Sequence, residues 1–230
     1  MLDHAVWHAL TGPQQAVAIA DGAAVRYRAT VAPFGALHPG AISAGGDALT
    51  EAWVDMARVV GPGGSVGVTG DRLVVPAGWQ AVREGMALQM VGTDVRSEPD
   101  PLAVTLGSAD VDEMLALIER TRPGPFLEET VTLGGYLGLR VDGRLVAMAG
   151  ERMRPPGHAE ISAVATLPTA RGQGLASRLV RAVAAAIAGR GEIPFLHVAA
   201  DNVEAARLYR HLGFEVRRSV LFQHLRLQQR

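Results

Sequence analysis

The sequence predicts an α+β fold in which a mixed β-sheet is flanked by helices on both faces. Short segments with alternating apolar and polar residues indicate strands, and longer segments with apolar residues every three or four positions indicate helices. The two kinds of segment interleave along residues 101–230, where the dipeptide Asp142-Gly143 also marks a tight hairpin between two strands. Residues 1–95 hold fewer such segments and predict a smaller α/β unit.

The N-terminal part contains one strand pattern and one helix pattern. Residues 25–31 alternate like a half-buried strand, and residues 47–60 place their large apolar side chains on one helical face. The glycine-rich segment 61–70 is similar to a phosphate-binding loop. However, Val66 stands where G-x-G-x-x-G needs its third glycine, and no lysine follows. The segment therefore predicts a flexible turn that leads into a short strand.

A domain boundary is predicted at residues 95–102. This segment is polar and contains two prolines, which disfavour helix and pair poorly within a sheet. We therefore expect an N-terminal α/β domain at residues 1–95 and a second domain at residues 101–230.

The second domain alternates between strands and helices. A strand at 102–106 precedes a helix at 109–120, for which Ser108 is the expected N-cap. The later elements are predicted as hairpin strands at 136–141 and 144–149, a strand at 160–166, a helix ending near 188, a strand at 195–199, a helix from Asn202 that ends at Gly213, and strands at 214–217 and 220–227.

The composition excludes several classes of protein and of site. The 230 residues carry a net charge of −1 and contain no apolar run of about 18 residues, so we expect a cytoplasmic protein with no membrane-spanning helix. The absence of cysteine excludes disulfides and thiolate ligands, and the absence of lysine excludes a lysine base. Residues 171–230 hold 10 arginines against 4 acidic residues. That local excess fits one small polyanionic ligand and gives little support for nucleic-acid binding.

The segment ARGQGLASRLVRAV, residues 170–183, opens a helix with two glycines, although glycine is a poor helix former. Glycines here leave the first amides of the helix bare, and these amides and the positive end of the helix face the same place. The pattern indicates an anion site. A structural tight turn would have the same sequence, so both readings stay open at this point.

A second segment, DNVEAARLYRHLGF at residues 201–214, follows 31 residues downstream. One face of its helix carries residues spaced by three, four and seven positions: Asn202, Ala205, Ala206 and Tyr209. Together with Arg171-x-x-Gly174-x-Ala176, this segment resembles the GCN5-related N-acetyltransferase (GNAT) superfamily. Residues 121–166 further resemble the FR47-like branch of that superfamily. The resemblance covers residues 101–230, and residues 1–95 resemble only weakly a degenerate GNAT-like half.

The resemblance implies a mostly antiparallel, twisted sheet and acetyl-CoA as co-substrate. It implies a bulge at Val164, Ala165 and Thr166 that frees backbone groups to pair with the pantetheine arm. It also implies that the pyrophosphate is held by the backbone of Arg171, Gly172, Gln173, Gly174, Leu175, Ala176 and Ser177. The pantetheine would be flanked by Asn202, Ala205 and Tyr209. Asn202 is equally suited to be a helix N-cap, a role compatible with the first.

Within the same resemblance, Tyr209 would be the general acid that protonates the departing thiolate. A phenol with a pKa near 10 is protonated at neutral pH and can supply that proton. For the base, Glu160 and Glu151 are the candidates and His197 is a third option, although each could equally be a structural residue. His4 and His8 stand four residues apart but lack a third ligand, so no metal site is predicted.

The sequence thus predicts an N-acetyltransferase in which a primary amine directly attacks the thioester of acetyl-CoA in a ternary complex. The expected acceptor is a small-molecule amine or a peptide, with no nucleic-acid or membrane partner, and a homodimer stays open. The alternatives are transfer of another acyl group, an amino-acid acceptor, or a non-catalytic acyl-CoA sensor.

Overall fold

The computed structural model describes residues 1–71 and 73–229. Within these residues the α-helices are Ala5–Leu10 (α1), Pro39–Ala44 (α2), Gly46–Val60 (α3), Val111–Thr121 (α4), Leu175–Ala188 (α5) and Val203–His211 (α6). The strands are Ala18–Asp21 (β1), Ala24–Tyr27 (β2), Gly35–Leu37 (β3), Ser65–Gly70 (β4), Trp79–Val91 (β5), Val104–Leu106 (β6), Tyr136–Val141 (β7), Arg144–Glu151 (β8), His158–Thr166 (β9), Ile193–Ala199 (β10) and Glu215–Leu227 (β11). No helix in this described part of the chain has the length and apolar character needed to cross a membrane.

The large sheet has the strand order β4-β11-β5-β10-β9-β8-β7-β6. Its neighbouring strands run antiparallel, except that β9 and β10 are parallel. The apolar side chains of α5 and α6 pack on one face of this sheet, and Met114 and Leu117 of α4 pack on the other face. The predicted α+β fold, a mixed and mostly antiparallel sheet between helices, is confirmed.

The N-terminal residues add a second, smaller layer. β1, β2 and β3 form an antiparallel sheet, and an isolated bridge between Phe34 and Gly67 connects its end to β4. All four residues of β2 are buried because α1 packs near one face of the small sheet and α3 near the other. Trp53 and Met56, on the predicted face of α3, belong to this core.

β5 links the two halves of the chain. It comes from residues 1–95, yet it lies between β10 and β11 and is hydrogen-bonded to both. β4 comes from the same segment and pairs with the other side of β11. The large sheet therefore crosses the boundary predicted at residues 95–102. An independent domain at residues 1–95 stays a prediction, and the sheet topology argues against it.

Several elements differ from the predictions. The strand predicted at 25–31 ends at Tyr27, and α1, α2, β1 and β3 were not predicted. The helix α4 is capped at Asp110 rather than Ser108, because a 3-10 turn at Ser108–Asp110 precedes it and the Asp110 carboxylate accepts from the Gly107 amide. The two closing strands are a single strand, β11, which a bulge at Arg217 bends without interrupting. β5 was not predicted, because residues 80–86 are exposed and show no apolar alternation.

Candidate functional site

The strand β9 contains a bulge at the position that the resemblance implies. Ser162 pairs with Gly150 of β8 and Ala165 pairs with Met148, so β9 has one residue more than β8 between these pairs. Ala163 adopts a left-handed φ of 52°, which is unusual for a residue with a side chain. The extra residue bends β9 just before Val164, Ala165 and Thr166.

The same strand separates from β10 beyond the bulge. The parallel ladder between β9 and β10 begins at the pair His158–Ile193 and ends at the pair Ile161–Leu196. Beyond this point Ala165 and Thr166 have ladder partners only on β8, and the bulged residues Ala163 and Val164 have none on either side, although β10 continues to Ala199. The result is a gap between two parallel strands, with main-chain groups along one side of it.

The glycine turn lies directly after this gap. Gly172 and Gly174 have φ values of 78° and 73°, and a Cβ atom built on either would meet no other atom within 4 Å. The glycines are therefore needed for the backbone conformation and leave open space above it. α5 begins after Gly174 with no side-chain cap, so its first amides face outward at the positive end of the helix.

The side chains around the turn differ in their burial. Leu175 is buried in the core beneath α5, while Gln173 is exposed and Ala176 and Ser177 are half-buried. Arg171 is exposed, and its Nε donates to the Thr166 carbonyl at 3.4 Å. The Thr166 Oγ1 atom is buried without a hydrogen-bond partner in the described part of the chain. A buried hydroxyl without a partner is costly, so it marks a place where a ligand group can be accepted.

The second predicted segment packs on the same face of the sheet. Asn202 caps α6, because its Oδ1 accepts from the Ala205 amide at 3.1 Å. Tyr209 is buried in the core that also contains Leu175, with Val164 and Ala205 packed against it. The structure therefore brings both segments and the bulged strand together, and it confirms the capping role of Asn202.

The environment of Tyr209 is apolar and holds its phenol in the neutral form. Its ring packs edge-on against Phe214, with 6.0 Å between the ring centroids, and burial raises the pKa of Tyr209 to about 12. The phenol is therefore fully protonated at neutral pH. Its hydroxyl makes no hydrogen bond to any residue within 1–71 or 73–229, so no internal partner competes for the proton.

Glu160, a predicted base, is placed as a structural charge. It is fully buried, and its carboxylate accepts from Arg152 Nε at 2.9 Å and Arg152 Nη2 at 2.7 Å. His197 Nδ1 and the Met153 amide lie at 2.8 and 3.3 Å from the same carboxylate. Burial by itself raises the pKa of Glu160, but Arg152 and His197 outweigh this effect and hold the pKa well below its usual range. A carboxylate stabilised in this way is a weak base.

His197 is also occupied at both ring nitrogens. Gln89 Oε1 accepts from Arg217 at 2.8 Å, which directs Gln89 Nε2 toward His197 Nε2 at 3.2 Å. Because Gln89 Nε2 is a donor, His197 Nε2 must accept, and the proton sits on Nδ1 and is donated to Glu160. Both ring nitrogens of His197 are therefore used in hydrogen bonds within the fold.

Glu151, the other predicted base, lies at the far end of α5 from the glycine turn. Its carboxylate pairs with Arg190 at 2.5 Å, and Arg190 follows the last turn of α5. α5 has 14 residues, which at about 1.5 Å per residue gives an axis of about 21 Å. Both carboxylates predicted as bases are thus held in ion pairs with arginine, Glu160 with Arg152 and Glu151 with Arg190.

Two contacts at this site were not predicted from the sequence. Asp100 forms a paired ion bridge with Arg178 of α5, at 2.6 and 2.9 Å, and Glu98 lies 3.6 Å from Arg181. The boundary segment is thus fastened along α5, beside the turn. Opposite charges on the segment and on the helix were the available signal, but no sequence pattern linked them.

In the part of the chain that the structure describes, His4 and His8 do not belong to a group of side chains that could hold a metal. The rings of His4 and His8 lie with their centroids 6.5 Å apart. No group of three or more histidine or acidic side chains that could hold a metal occurs among residues 1–71 and 73–229.

Comparison with known proteins gives a consistent set of similarities. The family model described as FR47-like protein matches residues 136–223. A crystal structure from Novosphingobium aromaticivorans, described as a GNAT-family acetyltransferase, is 42% identical, with 97% of both chains covered and a TM-score of 0.86. N-alpha-acetyltransferase RimI of Mycobacterium tuberculosis is 36% identical over 83 residues, which are 35% of this chain and 51% of that protein. An uncharacterized protein of Mycobacterium leprae is 33% identical over 133 residues, 53% of this chain and 36% of that protein.

Proposed function

Because the chain belongs to the GNAT family of acetyltransferases, we propose that it transfers an acetyl group from acetyl-CoA to a primary amine. The observation that carries the proposal is the gap between β9 and β10, which opens at the bulge and ends beside the glycine turn. The gap offers main-chain groups to an amide-containing arm, and the turn offers bare amides to a diphosphate. Acetyl-CoA contains both, joined in that order.

The described residues fit acetyl-CoA on three counts. The Arg171 amide donates to the Pro168 carbonyl at 3.4 Å, but the amides of residues 172–177 have no backbone acceptor in the described part of the chain. These amides would hold the pyrophosphate, and the space above Gly172 and Gly174 admits it. The backbone of residues 164–166 would pair with the pantetheine amides. The partnerless Thr166 hydroxyl lies between these two sets of groups and would accept or donate one further hydrogen bond.

The chemistry then needs an attacking amine and a proton for sulfur. The amine nitrogen attacks the thioester carbonyl carbon, the N–C bond forms, and the C–S bond breaks. Tyr209 would give its hydroxyl proton to the departing thiolate, and the proton lost by the amine would restore the phenol through solvent. Burial keeps Tyr209 protonated until a thiolate forms next to it.

No side chain is assigned as base, because the three candidates are held in other contacts. Glu160 and His197 are saturated with hydrogen bonds, and Glu151 is paired with Arg190. An amine that is already neutral near pH 7.5 would not need a base. An α-amino group, with a pKa of about 7.7–8.0, meets this condition far better than an alkyl amine with a pKa of about 10.4.

A peptide α-amino group is therefore our preferred acceptor class within the proposal. The similarity of 83 residues to N-alpha-acetyltransferase RimI supports the same choice. A screen of free amino acids, tripeptides and alkyl diamines, with thiol release as the readout, tests it. Faster turnover of alkyl diamines than of tripeptides at pH 7.5 would reject this acceptor class and keep acetyl transfer.

The coenzyme assignment is tested by Gly174→Asp with Gly191→Asp as its matched control. Both glycines are exposed, have φ values of 73° and have no atom within 4 Å of a built Cβ, but Gly191 lies beyond the other end of α5. Backbone strain and added charge are thus the same in both variants. We expect calorimetry to show loss of acetyl-CoA binding for Gly174→Asp alone, because the carboxylate would stand against the pyrophosphate. Equal binding by the two variants would refute the assignment.

The non-catalytic alternative makes a different prediction for the wild-type protein. An acyl-CoA sensor would bind acetyl-CoA in calorimetry but release no thiol with any acceptor of the screen. The protonated, unpartnered hydroxyl of Tyr209 argues for turnover, since a binding protein has no need of an acid at that position.

A further inference from the structure

The three tyrosines of the chain have hydroxyls in three different situations. Tyr27 is buried and its hydroxyl donates to Gln14 Oε1 at 2.6 Å. Tyr209 is buried as a residue, but its hydroxyl oxygen is not fully shielded from solvent. Tyr136 is 1% exposed, and its hydroxyl is sealed from solvent without a hydrogen-bond partner among residues 1–71 and 73–229. A polar atom left in this state costs stability, and here packing alone does not account for it.

The ring of Tyr136 is held in one orientation. Tyr136 pairs with Gly150 across the β7–β8 ladder, and a Cβ atom on Gly150 would lie 2.2–2.5 Å from three ring carbons of the tyrosine. The ring therefore crosses over Gly150 and requires a glycine there. Phe126 packs edge-on against it, with the ring centroids 5.5 Å apart. The hydroxyl is thus directed by rigid neighbours rather than by a hydrogen bond.

The ring extends toward the bulge of β9. Gly150 pairs in turn with Ser162, and residues directly opposite in a ladder share a face of the sheet. Tyr136, Gly150 and Ser162 therefore form one row across three strands, and Ser162 is the residue before the bulged Ala163. This face carries α4, whereas the glycine turn and α5 are on the other face.

Ser162, at the end of this row, has a hydroxyl that solvent can reach. It is half-buried, and its hydroxyl has no hydrogen bond within the described residues yet is not sealed from solvent. Arg152, Glu160 and Glu151 act electrostatically on the Tyr136 hydroxyl without a hydrogen bond to it. Arg152 and Glu160 are paired with each other at 2.7 and 2.9 Å, and Glu151 is paired with Arg190. Ser162 lies on β9, the strand that borders the gap, and the ring of Tyr136 extends over β8 toward it. The row therefore leads from the sealed hydroxyl to the strand beside which a thioester would be reached.

We propose that the Tyr136 hydroxyl, with Ser162 at its entrance, binds the acceptor amine on the face of the sheet opposite the glycine turn. This assignment rests on the proposed acetyl transfer and adds the residue that receives the second substrate. The Tyr136 oxygen accepts an N–H of the amine, which leaves the nitrogen lone pair directed at the gap. Binding satisfies an atom that the free protein leaves without a partner, and this favours the bound state.

The test compares Tyr136→Phe with Tyr27→Phe, using the best acceptor from the panel of amino acids, tripeptides and alkyl diamines. For Tyr136→Phe we expect the acceptor KM to rise about 2- to 10-fold, the range of one neutral hydrogen bond. Its Kd for acetyl-CoA should stay constant and its Tm should be unchanged or higher, since no internal bond is lost. Tyr27→Phe should lower Tm by about 1–6 °C and leave the acceptor KM unchanged.

Each outcome decides the assignment. An unchanged acceptor KM in Tyr136→Phe overturns it, and so does a fall in Tm equal to that of Tyr27→Phe, which would reveal an internal partner. A rise in KM for Tyr136→Phe that is repeated in Ser162→Ala, with constant coenzyme Kd in both, supports it. If the wild-type protein binds acetyl-CoA but acetylates nothing in the panel, the proposed function fails and this assignment fails with it. Loss of the KM effect alone leaves acetyl transfer intact.

Discussion

Replacing Glu160 by glutamine distinguishes a structural charge from a proton acceptor. Glutamine keeps the shape of the side chain and removes its charge, so the Arg152 guanidinium loses its counter-charge. The Arg152 side chain is 8% exposed and cannot recover that interaction from solvent. The His197 Nδ1 proton also loses a charged acceptor at 2.8 Å.

The expected loss of stability is large for a single isosteric change. Removing one partner of a buried ion pair costs about 3–5 kcal/mol. For a chain of this size, each kcal/mol corresponds to about 2–4 °C in Tm, so Glu160→Gln should lower Tm by roughly 6–20 °C. Glu129→Gln is the control, because its pair with Arg28 at 3.3 Å is about half exposed on both sides. A pair of that kind contributes about 0–1 kcal/mol, so the shift should stay below about 4 °C.

The assay is thermal unfolding together with kcat measured well below the lower Tm. We expect the folded Glu160→Gln protein to keep kcat within the same order of magnitude, because the carboxylate is not at the reaction. The pKa of Glu160 is lowered in the fold, so its contribution to stability is present above the ordinary value of 4.5 and is lost as pH falls below it. The Tm difference between wild type and variant should therefore be constant from pH 6 to 8 and shrink below about pH 4.5. A variant with normal Tm and a kcat reduced about 10²–10⁴-fold would refute this reasoning and restore Glu160 as the base.

Three further predictions concern the site and the sheet. Tyr209→Phe should lower kcat by about 10²–10⁴-fold while the Kd for acetyl-CoA and the Tm stay nearly constant, measured by steady-state kinetics, calorimetry and thermal unfolding; a normal kcat would remove its role as acid. A fragment of residues 101–230 should fail to fold, judged by circular dichroism and size-exclusion chromatography, because β10 and β11 lose the strand between them; a folded fragment that binds acetyl-CoA would contradict the importance of β5. A fragment of residues 1–95 should not bind acetyl-CoA in calorimetry, since it contains neither the glycine turn nor α6.

Local chemistry made part of this structure predictable. The Asp142-Gly143 hairpin forms as expected, with positive φ at both residues, because few other dipeptides tolerate that turn. The helix α5 buries Leu175, Leu179, Val183 and Ile187, as its periodicity predicts. The glycine turn and the Asn202 cap depend on neighbouring residues only, and both are found where the sequence indicates them.

The features that could not be predicted depend on contacts between residues that are far apart in sequence. β5 could not be recognised because its exposed half lacks apolar alternation and its neighbours, β10 and β11, follow more than 100 residues later. The contacts of the predicted bases could not be foreseen for the same reason. The sequence around a glutamate at a strand end is the same whether its side chain faces a ligand or a buried arginine. Only the folded chain brings Arg152 and His197 to Glu160.

The position of β5 also has a consequence for biosynthesis. The ribosome completes β5 at Val91, but the last residue that pairs with it, Leu227, is added 136 residues later. At about 5–20 residues per second, the nascent strand waits roughly 7–27 s for its second neighbour. Both of its hydrogen-bonding edges are open to other chains until β10 is made, and the edge toward β11 stays open until the end of that interval, which is the state that invites aggregation. The centre of the sheet therefore folds late in translation. Chaperones that cover nascent strands should protect the chain most between the synthesis of Val91 and that of Leu227.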